Sequence, residues 1–104
     1  TSPYVRCRET VTPLAEELGL PVTEDEAFAE GGGGKATREL VRQFAGANAI
    51  LCSHGDVIPA LLDWMTKKGM SLHPPFDCKK GSIWEIDVRA GQFRKARYLP
   101  PPEA

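Results

Sequence analysis

The chain has 104 residues, 41% of them hydrophobic and 26% charged, and a net charge of −1. That length holds one domain at most, and the composition is that of an ordinary globular protein. Thirteen basic residues against fourteen acidic ones give no broad positive field for nucleic acid and no polybasic membrane signal, and no apolar run is long enough to span a bilayer, so any anion affinity must come from a local pocket.

In chain order, Ser2 followed by Pro3 predicts a helix start, with the serine oxygen as N-cap and proline in the first turn. Val11, Leu14, Ala15 and Leu18 recur at helical spacing, and Gly19 is the expected stop, so the spacing predicts a helix over 3–18. Leu20-Pro21-Val22 reads as a short extended piece. An acidic stretch with Glu24, Asp25, Glu26 and Glu30 leads into four glycines, 31–34, expected to form a flexible loop. A second helix is predicted over 36–45, with Leu40, Val41 and Phe44 inward and Gly46 ending it. Ala49-Ile50-Leu51-Cys52, within 48–53, is a continuous apolar run of the kind found in strands covered on both faces. His54-Gly55 turns at its carboxyl end, and Asp56 is expected to cap a helix over 57–68 with Ile58, Leu61, Leu62 and Met65 inward. Residues 69–80 read as a loop. Residues 82–88 alternate as a strand, Ala90-Gly91 turns, and 92–99 returns as its hairpin partner. The prolines at 100–102 open a proline-rich tail over 100–104. The class is α/β, in a single domain over 1–104.

Three positions carry candidate chemistry. His54 lies at a strand's carboxyl end, where ligands bind in open α/β sheets. Gly55 allows close backbone approach, and the next helix aims its N-terminal amides at the same spot. The competing reading is a histidine that only closes the strand and bonds Asp56. Arg6 sits in the first turn of its helix, where a cation opposes the dipole at a cost of about 0.3–1 kcal/mol. Anion binding would justify that placement, since a guanidinium grips two phosphate oxygens at once; a solvated surface arginine is the alternative. Glu30, on a loop beside the pocket, suits a general acid, or is one more charge in a solvated acidic stretch. His73 reads as structural or exposed, Arg8 as surface, and Lys79, Lys80 and Ser82 as near the hairpin without a distinguishing signal. Trp64, Trp84, Phe93 and Tyr98 read as packing. The cysteines Cys7, Cys52 and Cys78 are odd in number and lack CxxC spacing, which argues against a disulfide framework or structural zinc and for a reduced, cytoplasmic protein. Cys52 reads as a small core residue.

Ser2-Pro3-Tyr4-Val5-Arg6-Cys7-Arg8-Glu9-Thr10, Ala27-Phe28-Ala29-Glu30, Ser53-His54-Gly55 and Gly81-Ser82-Ile83-Trp84-Glu85-Ile86, in this order, resemble the histidine phosphatase superfamily. The similarity is greatest to its short phosphohistidine-phosphatase branch and to the phosphatase domain that follows a Nudix domain in actinobacterial hydrolases. The resemblance implies a phosphoglycerate-mutase-like mixed sheet flanked by helices. It implies phosphomonoester or phosphohistidine hydrolysis through a phosphohistidine, with no metal or cofactor. Arg6, His54 and Gly55 would bind phosphate, and His54 and Glu30 would serve catalysis. The family's Arg-His-Gly, at the end of its first strand, has no counterpart in the 104 residues. The resemblance therefore implies the carboxyl-terminal part of a phosphatase, inactive alone, whose nucleophile lies upstream. Expected partners are a phosphorylated small molecule or phosphohistidine, an N-terminal fragment or a second copy, and neither nucleic acid nor membrane. The alternatives are a non-catalytic phosphate-binding module and a relative of phosphoglycerate mutase.

Overall fold

The computed structural model describes residues 1–74 and 76–102. Helix α1 spans Val5–Leu18, two residues later than expected, because Tyr4 rather than Ser2 occupies the N-cap and no side chain closes the first turn. Ser2 is fully buried and its hydroxyl is engaged with His54 instead. The helix stops at Gly19, whose φ of 67° places it in the left-handed region. There the N–H groups of Gly19 and Leu20 close on the carbonyls of Glu16 and Ala15, a turn that glycine adopts without strain. Of the fourteen residues of α1, only Cys7 is buried. Leu14 and Leu18, which share the predicted apolar stripe, are 39% and 55% exposed.

A single 3₁₀ turn, Glu26–Phe28, interrupts the acidic stretch, started by the Asp25 carboxylate accepting the Ala27 N–H. It plants Phe28 in the core. Helix α2 covers Lys35–Gln43, burying Thr37 and Val41 with Leu40 packed at the core's edge. Phe44, expected inward, falls at the C-cap beyond the last full turn and is exposed. Helix α3 covers Val57–Lys67 and buries Val57, Leu61, Leu62, Trp64 and Met65. Pro59 is its third residue, where no intrahelical N–H is missed.

Strands β1 (Ser71–His73), β2 (Ile83–Arg89) and β3 (Gln92–Leu99) form a mixed sheet in the order β1-β3-β2. The predicted hairpin is β2–β3, closed by Ala90 and Gly91 with φ of 53° and 73°. Two positive-φ residues give the mirror-image turn that matches the twist of antiparallel strands. β1 lies in the segment read as a loop. Its three residues are too few to show a period, and its parallel pairing with β3 is non-local. The core forms where α3 meets this sheet, with Phe28, Val41, Val57, Leu62, Met65 and Ala96 at its centre. The class is α/β, as expected.

Residues 48–53 depart most from expectation. They form no strand. A strand is defined by its neighbour, and among the described residues none pairs there. The Ser2 N–H donates to the Cys52 carbonyl at 2.9 Å, while Ile50 is 60% exposed. Cys52, expected in the core, is only half-buried. This run has the composition of a covered strand and lacks the cover.

Candidate functional site

The start of α1, the loop before α2 and the turn into α3 converge on His54. The imidazole is the floor, only 7% exposed. Its Nε2 lies 2.7 Å from Ser2 Oγ, and its Nδ1 lies 3.3 Å from Arg6 Nη2. Arg6 Nη2 also donates to Glu30 Oε1, and that oxygen is 3.6 Å from His54 Nδ1. Arg6 and Glu30 form the half-open rim around the buried ring. The Tyr4 ring meets the imidazole edge-on at 4.6 Å between centroids, and the Arg6 guanidinium stands 5.2 Å from the same ring. Cys7 Sγ sits 3.8 Å from Nε2.

Local chemistry explains why these groups meet. The chain start is tied to the acidic loop by Thr1 N donating to the Thr23 carbonyl at 2.8 Å and by Asp25 N donating to the Thr1 carbonyl at 2.9 Å. Ser53 Oγ donates to the Phe28 carbonyl at 2.6 Å, anchoring the His54 turn to the loop that carries Glu30. Asp56 does not bond His54 and does not cap α3 with its side chain. Its carboxylate instead accepts the Gly31 N–H at 2.7 Å, and that donation holds its carboxyl below the usual value.

Three of the four glycines, 31–33, are tied in by specific contacts. Thr37 Oγ1 donates to the Ala27 carbonyl at 2.6 Å and accepts the Gly33 N–H at 2.9 Å. A Cβ on Gly32 would come within 2.6 Å of the Ala27 carbonyl oxygen. Gly33, at φ +100°, lies against Ala60. Gly55, by contrast, is exposed, with open space where a side chain would be.

Of the residues singled out in the sequence, Arg6, Glu30 and His54 come together, with Gly55 at the adjoining helix start. Arg8 points away to pair with Glu24 at 2.9 Å. His73 lies in β1, exposed, and lines a separate depression with Glu85 and Arg97. Lys79 pairs with Asp77, and Ser82 Oγ donates to the Lys79 carbonyl, away from this site. Sequence reasoning missed Ser2 and Tyr4 as neighbours of the imidazole. Ser2 stands before proline, which reads as a cap, and opens the run Ser2–Thr10 that carries the family resemblance; neither signal points to the imidazole. The Cys52 thiol is pushed up to about 11, first by burial and then by the Cys7 thiol beside it, so it stays protonated near neutrality.

The arrangement has one evident capacity. A guanidinium and an imidazole nitrogen face a common point at which a carboxylate oxygen already sits. An oxyanion fits there, held by charge-assisted hydrogen bonds. Among the described residues no group of histidine, cysteine and carboxylate side chains is placed to hold a metal ion, and no helix is long and apolar enough to cross a membrane.

Comparison with known proteins agrees in kind. A sequence profile of the histidine phosphatase superfamily (branch 1) matches residues 33–99. The 8-oxo-(d)GTP phosphatase of Mycolicibacterium smegmatis is 34% identical over 106 residues, covering 95% of this chain and 32% of that protein. The chain thus spans about a third of the length of that relative.

Proposed function

The chain belongs to the histidine phosphatase superfamily, and from that premise we propose that it is the phosphate-binding part of a phosphatase that hydrolyses a phosphorylated small molecule. The named activity of the mycobacterial relative makes a nucleoside phosphate the first substrate to try. The observation that carries the reading is the position of the Glu30 carboxylate oxygen, between Arg6 Nη2 and His54 Nδ1. In the proposed enzyme, phosphoryl oxygens occupy that place, and the guanidinium and the imidazole stabilise the charge that spreads over them during transfer.

The nucleophile is proposed to be a histidine in an Arg-His-Gly segment of the complete protein, upstream of this chain. Its nitrogen forms a bond to phosphorus as the bond to the leaving oxygen breaks. Glu30, at the rim, supplies the proton that the leaving oxygen needs, and water then hydrolyses the phosphohistidine. Two features support this. The run 48–53 has the apolar composition of a paired strand and an open edge, and the relative is some three times as long as the match. The 104 residues alone would bind phosphate without turning it over, because removing a nucleophile from a cooperating site abolishes most of its rate enhancement.

Orthovanadate or phosphate titration tests the site. Arg6→Ala and His54→Ala should each weaken binding about 10- to 100-fold, the loss expected for a hydrogen bond to a charged group. Unchanged affinity in both variants would overturn the assignment. Turnover decides between enzyme and non-catalytic module: a protein extended upstream through an Arg-His-Gly segment should release phosphate from a nucleotide, and a module would not.

A further inference from the structure

We propose that Asp56 is a positioning residue: its carboxylate fastens the turn that carries Glu30 to the start of α3, and so aims the Glu30 side chain at Arg6 and His54. The purpose of that aiming rests on the phosphate-site reading above.

Asp56 is the N-cap of α3, the position from which an aspartate ordinarily closes its own helix. It makes no such bond. Its Oδ2 instead accepts the Gly31 N–H at 2.7 Å, across 25 residues. Gly31 directly follows Glu30. The Gly32 N–H closes on the Ala29 carbonyl at 3.0 Å, and Gly31 has a φ of 86°, so Glu30 and Gly31 are the central pair of a type II turn. The Gly31 N–H takes no part in the turn's own bond, which leaves it free to anchor the turn from outside.

Two side-chain hydrogen bonds join this loop to the turn that bears His54, and they lie on either side of Glu30. Ser53 Oγ donates to the Phe28 carbonyl at 2.6 Å, and Asp56 holds Gly31. Ser53 and Asp56 themselves stand on either side of His54 in the chain. One tie would leave a hinge. Two ties set the direction in which the Glu30 side chain leaves its turn, and that direction brings Oε1 to Arg6 Nη2 and to 3.6 Å from His54 Nδ1.

The charge of Asp56 points the same way. A carboxylate two residues from His54 repels an incoming anion, and asparagine would accept the same N–H without that repulsion. A charged acceptor makes the stronger bond. The Gly31 donation holds the Asp56 carboxyl below its usual value, so the acceptor is ionised at neutral pH. The placement opposes the anion somewhat and holds Glu30 more firmly.

Solution NMR of the 104-residue chain reads the pairing. With Glu30 held, the Arg6 guanidinium rotates slowly, its two Nη groups give separate signals, and the Gly31 amide proton lies downfield. Asp56→Ala should merge the Arg6 signals and shift Gly31 upfield, while Asp56→Asn, which keeps an acceptor oxygen, should retain both signatures. The Asp56 side chain does not cap α3, so its removal leaves the helix's own bonds in place. Separate Arg6 signals in Asp56→Ala overturn the proposal. Vanadate titration then separates aim from charge. Glu30→Gln should tighten binding by up to about fivefold in the unmodified chain, and by less than about twofold when combined with Asp56→Ala, because coupled residues are not additive. Combined with Asp56→Asn, the larger effect should return. Equal behaviour of the Ala and Asn backgrounds would mean that Asp56 acts by charge alone, and overturns the proposal. No vanadate affinity in any of these proteins sinks the phosphate site and leaves Asp56 to be judged by the NMR signals. Vanadate affinity with Arg6 signals unmoved by Asp56→Ala keeps the site and removes Asp56 from it.

Discussion

Glu30 occupies the place proposed for phosphate, and that has an energetic consequence. Its carboxylate bonds Arg6 and lies near His54 Nδ1, so an incoming anion has to displace it. Both side chains of the pair are about half exposed or more, and an exposed ion pair contributes about 0–1 kcal/mol. Glu30→Gln should therefore bind vanadate more tightly, by up to about fivefold, as read by titration against the unmodified chain. If the same substitution in an upstream-extended protein also slows release of a poor leaving group, the side chain serves as both placeholder and acid. The proximity of Arg6 to His54 was legible in the sequence, because one begins a helix and the other ends an apolar run, the positions where anion sites gather. Ser2 was not legible. A serine before proline has the pattern of a cap, and no residue type announces that its oxygen will be buried against a ring 52 positions away.

At the scale of elements, the glycine loop separates two explanations of the same composition. A connector needs glycine for freedom, whereas a packed loop needs it for room. Gly32 has no space for a Cβ, with two backbone carbonyl oxygens within 3 Å of where it would lie, while Gly34 has nothing within 4 Å. Gly34→Ala should shift stability by no more than about 0.5 kcal/mol. Gly32→Ala should cost about 1–3 kcal/mol, the usual penalty for overpacking. Equal denaturation midpoints in the two variants would mean that the glycines serve only flexibility. The α3 helix and the β2–β3 hairpin could be read in advance because each bears a local period and a local turn. β1 could not, since its pairing with β3 links residues over twenty positions apart. The apolar run at 48–53 misled in the opposite sense: its composition describes a strand inside a sheet, but pairing depends on a neighbour, and among the described residues none pairs there.

For the whole molecule, burial is uneven. The α3 helix and the sheet enclose the core, and Val57, Leu62 and Met65 are almost inaccessible. The α1 helix buries Cys7 alone and is held at its start, through Ser2 just before the helix and through Arg6 and the Cys7 thiol in its first turn, the thiol lying against the Ser53 carbonyl. The proposed anion site spans this division, with His54 beside the core and Arg6 on the loosely held helix. Such helices open locally at a free energy well below that of global unfolding. In native-state hydrogen–deuterium exchange, α1 amides should exchange faster than those of α3, and vanadate should slow α1 selectively, because a ligand that needs Arg6 in place stabilises only the docked form. Equal protection in both helices would count against this division. The site would then come apart while the fold persists, and the anion would act as the clasp that fastens the helix to the rest of the molecule.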